Sequence, residues 1–243
     1  MQMPSRKQMQ QSTSTIEFEK GRAQRILRIL RASISIRQDD FASLQVAKES
    51  PDPFRILVVT ILSQNCTDVA SLRAFHTLDQ QIGVNVYNLS LAKTSKIAKA
   101  IHDAGLHKQK AKALKDLSKI LVDHHRGGLD DILNNPLDLA RSLLQELPKV
   151  GPKTADVLLS VLGQPTISVD THVDRVSKRL GLARAKSRYE EVRASLMALF
   201  PPEEYGTVPL LFMALGRRFC KARVPLCPQC PVAKFCPYPN KTR

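Results

Sequence analysis

Between Leu137 and Gly181 the chain spells two helices around a tight turn. Ala140, Leu143, Leu144 and Leu147 recur at helical spacing on one side of it, and Ala155, Leu158, Leu159 and Leu162 on the other. The turn reads Leu147-Pro148-Lys149-Val150-Gly151-Pro152-Lys153-Thr154-Ala155-Asp156. Gly151 permits close backbone approach, and Pro152 suits the first position of the second helix. A turn of this kind points unpaired N–H groups outward beside a positive helix end, which is an arrangement that holds phosphate. Lys153 falls in the first turn of that helix. Further on, Val169-Asp170-Thr171-His172 sets Asp170 as the N-cap of the next helix.

The rest of the chain reads as helix too. No segment alternates apolar and polar residues with period two, so the expected class is all-α. Residues 1–15 are rich in Gln, Ser and Thr and are expected to be a disordered tail. A helix should follow over 16–36, with Arg22, Arg25, Arg28 and Arg31 on a solvated face or, as the alternative, on a DNA-facing stripe. Asp52-Pro53 opens a core helix carrying Phe54, Leu57, Val58, Ile61 and Leu62. It ends in the polar turn Ser63-Gln64-Asn65-Cys66-Thr67-Asp68, where Asp68 is placed to cap the next helix and Cys66 reads as a small buried side chain. Helices are expected over 95–104 and 110–124, joined by Gly105-Leu106-His107-Lys108-Gln109. A leucine at such a turn ordinarily belongs to the core, while Lys108, Lys110, Lys112, Lys115 and Lys119 supply positive charge. Gly181 ends the helix begun at Asp170, Ser187 and Glu190 form a capping box, and a last helix covers 209–216.

Composition narrows the partners. A chain of 243 residues makes one large domain or two small ones. Its net charge of +15 favours a polyanion, nucleic acid first and an acidic membrane surface second. No apolar run exceeds the stretch around Ile56–Leu62, so no membrane span is expected, and the N-terminus lacks a signal-peptide core. The chain is therefore expected inside the cell, in cytoplasm or nucleoid, with reduced cysteines. Cys220, Cys227, Cys230 and Cys236 are spaced C-x6-C-x2-C-x5-C, which suits tetrahedral zinc or an iron–sulfur cubane. On chemistry alone zinc fits at least as well. Pro225, Pro228, Pro231 and Pro237 stiffen this segment, and Lys221 and Arg223 lie in its first loop.

The hairpin, Val169-Asp170-Thr171-His172 and the cysteine spacing together resemble the endonuclease III-like glycosylases of the helix-hairpin-helix base-excision repair superfamily, over roughly Phe18 to Tyr238. That family's hairpin reads Leu-Pro-Gly-Val-Gly-x-Lys-Thr-Ala. The departure here is Lys149, which adds a cation but asks the backbone to do without glycine. The resemblance implies a six-helix barrel with the hairpin over 47–164, and an iron–sulfur cluster domain built from 16–46 and 165–243, with double-stranded DNA in the cleft between them. It implies a [4Fe–4S] cluster on Cys220, Cys227, Cys230 and Cys236, Lys153 as catalytic amine and Asp170 as catalytic carboxylate. DNA contacts are implied at Gln64, Asn65, Leu106, His107, Lys149, Val150, Gly151, Lys153, Lys221 and Arg223, with Leu106 as a wedge in the base stack. The damaged nucleotide is flipped because its C1′ is unreachable inside the duplex. By the same resemblance Lys153, as a neutral amine that a positive helix end favours, attacks C1′ and expels the base, oxidised pyrimidines being the family's default targets. Asp170 stabilises the developing positive charge, and the Schiff base then permits β-elimination 3′ to the lesion. The protein is expected to be a monomer with no membrane partner. The alternatives are a monofunctional mismatch or adenine glycosylase, whose type generally lacks the lysine, and a non-catalytic protein binding DNA structure by charge alone.

Overall fold

The computed structural model describes residues 6–126 and 128–242. Among them there are thirteen α-helices and no strand. In chain order these are α1 (Arg6–Ser33), α2 (Ala42–Glu49), α3 (Pro53–Leu62), α4 (Asp68–Ile82), α5 (Val86–Leu91), α6 (Thr94–Ala100) and α7 (His107–His124). There follow α8 (Asp130–Leu133), α9 (Leu137–Glu146), α10 (Pro152–Val161), α11 (Thr171–Arg179), α12 (Tyr189–Leu199) and α13 (Thr207–Arg218). No helix among the described residues is long and apolar enough to cross a membrane.

The chain forms two compact units, Arg37–Gln164 and the chain's two ends, through Ile36 and from Pro165. The first unit begins ten residues before the barrel expected from residue 47, because Ala42 and Val46 of α2 are buried in its core. Its centre is α3, where Phe54, Ile56 and every residue from Leu57 to Leu62 are buried. The Asp52 carboxylate caps α3 by accepting from the Phe54 and Arg55 N–H groups at 2.7 and 3.3 Å, and Pro53 takes the first helical position. Arg55 then grips Asp79 of α4 with two bonds of 2.8 and 2.7 Å, which hold the Asp79 carboxyl below its ordinary range.

The other unit packs α1, α11, α12 and α13 around Ile26, Leu30, Val173, Val176, Leu196 and Phe212. Here α1 starts at Arg6, so residues 6–15 are helix where a disordered tail was expected, while residues 1–5 lie outside the described residues. The arginine stripe divides. Arg25 and Arg28 are exposed, but Arg22 donates to the carbonyls of Leu180 at 2.8 Å and Phe235 at 3.2 Å and latches the C-terminal segment to α1. Two caps differ from their expected residues. Thr67, not Asp68, accepts from the Ala70 N–H and caps α4, while Asp68 accepts from the Ala42 N–H at 3.2 Å. The box before α12 is displaced by one residue, with Glu191 accepting from the Arg188 N–H at 2.8 Å.

Candidate nucleic-acid interface and cysteine cavity

The hairpin joins α9 to α10 through a type II turn. The Val150 N–H donates to the Leu147 carbonyl at 3.0 Å, Pro148 occupies the first central position, and Lys149 the second with φ of 64°. That second position asks for a left-handed backbone, the reason glycine is usual there, and Lys149 adopts it regardless. Two bonds offset the strain: the Gln64 side chain donates to the Lys149 carbonyl at 2.9 Å and to the Thr154 hydroxyl at 3.1 Å. Beneath the turn Arg141 of α9 and the fully buried Asp156 of α10 form a bidentate pair, both bonds 2.9 Å, which fixes one hairpin helix against the other.

Val150 is 3% exposed and its N–H is used inside the turn, so it anchors the hairpin to the core and offers no donor outward. Gly151 has an ordinary extended backbone, φ −90°, and a Cβ there would meet nothing within 4 Å. The room around it faces outward and suits the approach of another backbone. Lys153 is exposed in the first turn of α10, where helix geometry leaves its N–H and that of Thr154 without an intrahelical acceptor.

Two further turns of the same unit carry exposed residues in left-handed backbone, Asn65 with φ of 52° and Leu106 with φ of 47°. Leu106 is 51% exposed at the N-cap of α7, which excludes the core role a leucine there would ordinarily have. His107 follows it, its ring 4.8 Å from that of His102. Gln64 is committed to the hairpin, and its carboxamide positions Lys149 and Thr154. The lysines near Leu106 are not one cationic patch. Lys110 is 2% exposed and Lys115 donates to the Ala92 carbonyl at 2.6 Å, while Lys108, Lys112 and Lys119 are exposed, Lys112 paired with Asp116 at 2.8 Å. Cys66 is half-buried, its sulfur turned towards the Asp103 carbonyl at 3.9 Å.

In the other unit Asp170 is the N-cap of α11. Its Oδ1 accepts from the N–H groups of His172 at 2.9 Å and Val173 at 2.7 Å, so a single carboxylate oxygen makes both cap bonds. Gly216 of α13 lies so close to His172 that a Cβ would come within 2.9 Å of its side chain. Burial pushes the His172 imidazole below its ordinary pKa, against the pull of Asp170. Arg175 lies 3.0 Å from its Nδ1 and also donates to the carbonyls of Cys220 at 2.9 Å and Gly216 at 3.2 Å. One turn on, Arg179 donates to the Cys220 sulfur at 3.4 Å and to the carbonyls of Lys221 and Ala222 at 2.8 and 2.9 Å. These two arginines, whose role no local motif signals, fix the loop bearing the exposed Lys221 and Arg223.

Cys220, Cys227, Cys230 and Cys236 line one cavity, walled on its apolar side by Val176, Leu180 and Leu215. All four are free thiols and half-buried. Burial pushes the Cys230 and Cys236 thiols up, and the neighbouring cysteines add to this. Among the described residues, no three His, Cys, Asp or Glu side chains are placed to hold a single metal ion.

Residues 58–202 match the model of the HhH-GPD superfamily base excision DNA repair protein. Endonuclease III of Bacillus subtilis (strain 168) is 38% identical over 186 residues, which cover 76% of this chain and 81% of that one. The chain belongs to the endonuclease III family. Among solved structures it is similar to a trapped endonuclease III–DNA covalent intermediate in an estranged-adenine complex, with a TM-score of 0.69, 33% identity, and coverage of 81% of this chain and 93% of that one. A thermostable thymine-DNA glycosylase shares the fold, with a TM-score of 0.71 at 22% identity over 93% of this chain and 97% of that one. The protein is thus a DNA glycosylase of base excision repair.

Replacing Leu106 with Ala should slow base removal from a fully paired duplex by about tenfold or more, as expected if the side chain offsets at least ~1.4 kcal/mol of the unstacking cost. A lesion opposite a gap, where no stack resists, should be processed almost as before. Single-turnover rates on the two duplexes check this, and equal losses would contradict a wedge.

Proposed function

We propose that the protein removes oxidised pyrimidines from double-stranded DNA and cuts the resulting abasic site by β-elimination, using Lys153 as nucleophile and Asp170 as the charge-stabilising carboxylate. The observation that carries this reading is the hairpin, where an exposed lysine stands in the first turn of α10 beside the open backbone of Gly151. Phosphate on the hairpin's N–H groups would bring the sugar of a flipped nucleotide within reach of an amine. Attack of the Lys153 amine on C1′ forms the C–N bond as the glycosidic bond breaks and the base leaves with a proton. The C1′–O4′ bond of this aminal then breaks, O4′ taking up the proton that the amine has given up and the nitrogen lone pair forming the C1′ iminium. Loss of a proton from C2′ of the iminium then expels the 3′ phosphate. Asp170 keeps one oxygen for its cap and has the other for the cationic sugar. The enzyme acts as a monomer in this reading.

Cys220, Cys227, Cys230 and Cys236 fit a [4Fe–4S] cluster. Four soft sulfur donors line one cavity with apolar walls, and four thiolates, one for each iron of a cubane, are the donor set such a cluster takes. Such a cluster would tie the C-terminal segment down and shape the Lys221–Arg223 loop, with no part assigned to it in bond breaking.

Purified protein should be yellow-brown, release iron and sulfide on acidification, and excise oxidised pyrimidines in preference to uracil or mispaired thymine from a panel of damaged duplexes. Colourless protein with stoichiometric zinc would overturn the cluster. Excision of mispaired thymine or adenine without strand cleavage would overturn the lyase and its substrate class.

A further inference from the structure

Lys110 is among the largest side chains buried in the first unit, and its ammonium touches no carboxylate in the bonds it makes. All three of its N–H bonds go to carbonyls: Leu62 at 2.8 Å, Gln64 at 2.7 Å and Ala104 at 2.7 Å. Leu62 ends α3, whose negative pole faces the charge. The Gln64 carbonyl belongs to the peptide that continues into Asn65, and the Ala104 carbonyl to the peptide before Gly105-Leu106. The Lys110 N–H also donates to the Leu106 carbonyl at 3.0 Å. One residue therefore braces two turns of different sequence origin, and each turn presents an exposed residue in left-handed backbone.

Such conformations cost energy in residues other than glycine and persist where the surroundings over-determine them. Burial pulls the Lys110 amine below its ordinary pKa, with Cys66 raising it and Lys149 lowering it further. A group so costly to bury is kept where its three directed bonds do something that a methionine cannot.

We infer that Lys110 is a positioning residue that locks the Asn65 and Leu106 turns at a fixed separation, so that both enter the duplex together and unstack the base opposite the lesion. This rests on the glycosylase reading for its purpose, and on the three carbonyl bonds for its geometry. Lys110 touches no DNA itself. It acts through Leu106 and Asn65.

The test uses the whole protein and a duplex with a tetrahydrofuran abasic analogue opposite 2-aminopurine, whose fluorescence rises when it is unstacked. At saturating wild-type protein the fluorescence should rise. Lys110→Met should bind the duplex with similar affinity but cut that rise by about threefold or more, and combining it with Leu106→Ala should lose less than the two single losses together, the remainder acting through Asn65. A merely structural role would lower affinity and melting temperature while leaving the rise per bound protein intact. A full rise with Lys110→Met, or additive losses in the double variant, overturns the proposal. If Lys110→Met does not give folded protein by circular dichroism, Lys110→Arg is read in the same way: it keeps the charge but not the aim of the three bonds, and a full rise again overturns the proposal. A wild type that unstacks the probe yet excises no base would defeat the glycosylase reading and leave Lys110 in its place.

Discussion

An Asp170→Asn protein is expected to melt like the wild type and to lose about a hundredfold or more in base removal, the scale of removing one preorganised electrostatic partner of a transition state. The cap should survive because both of its bonds end on Oδ1, which asparagine retains as a carbonyl oxygen. What is lost is the negative charge, which matters most while the sugar carries positive charge and the base is leaving. Cleavage of a pre-formed abasic site needs no base expelled and should fall far less. Asp170→Ala is the control, since it removes the cap as well and should cost about 1 kcal/mol of stability. Thermal melts with single-turnover rates on a damaged duplex and on an abasic duplex separate the two roles. A parallel fall of both activities with the melting temperature would make Asp170 a cap and nothing more.

Lys153→Gln should abolish strand cleavage and the borohydride-fixed protein–DNA adduct, a loss of about a thousandfold or more, as expected when a covalent nucleophile is removed. DNA affinity should stay within about tenfold, because one cation among many phosphate contacts carries only part of the binding. The hairpin should keep its form, since its supports lie elsewhere: Gln64 on the Lys149 carbonyl, Arg141 on Asp156, and Val150 in the core. Gel shifts on an abasic-site analogue, with denaturing gels after borohydride, read both quantities. Loss of binding together with activity would mean that Lys153 holds DNA and does not attack it.

The hairpin and the Asp170 cap were legible because local rules fix them. Proline at the first helical position, a helical period on either side, and aspartate before an amphipathic run each act within a few residues. Exposure of Leu106 was a tertiary matter: spacing alone favours a leucine at a turn facing inward. Lys110 reads with its neighbouring lysines as positive charge, although Leu114, Leu117 and Leu121 follow it at helical spacing and place it on the buried stripe of α7. Asp156 lies in the same way on the buried face of α10, between Ala155 and Leu159. A charged residue on an apolar stripe is the signal in both cases, and its partners, three carbonyls for one and Arg141 for the other, are brought up by other helices and cannot be found from spacing. Lys149 shows the opposite limit. Its left-handed backbone was unreadable from residue type because a cross-turn bond from Gln64 helps to hold what glycine would adopt unaided.

The most direct measurement is peptide mapping of the adduct formed when borohydride is added to the wild-type protein during turnover on a damaged duplex. Mass spectrometry of the digested adduct should find the reduced deoxyribose remnant on the ε-amine of Lys153, in the peptide that includes Thr154. A remnant on any other amine, or no adduct while bases are being released, would contradict the assignment of Lys153 as the nucleophile.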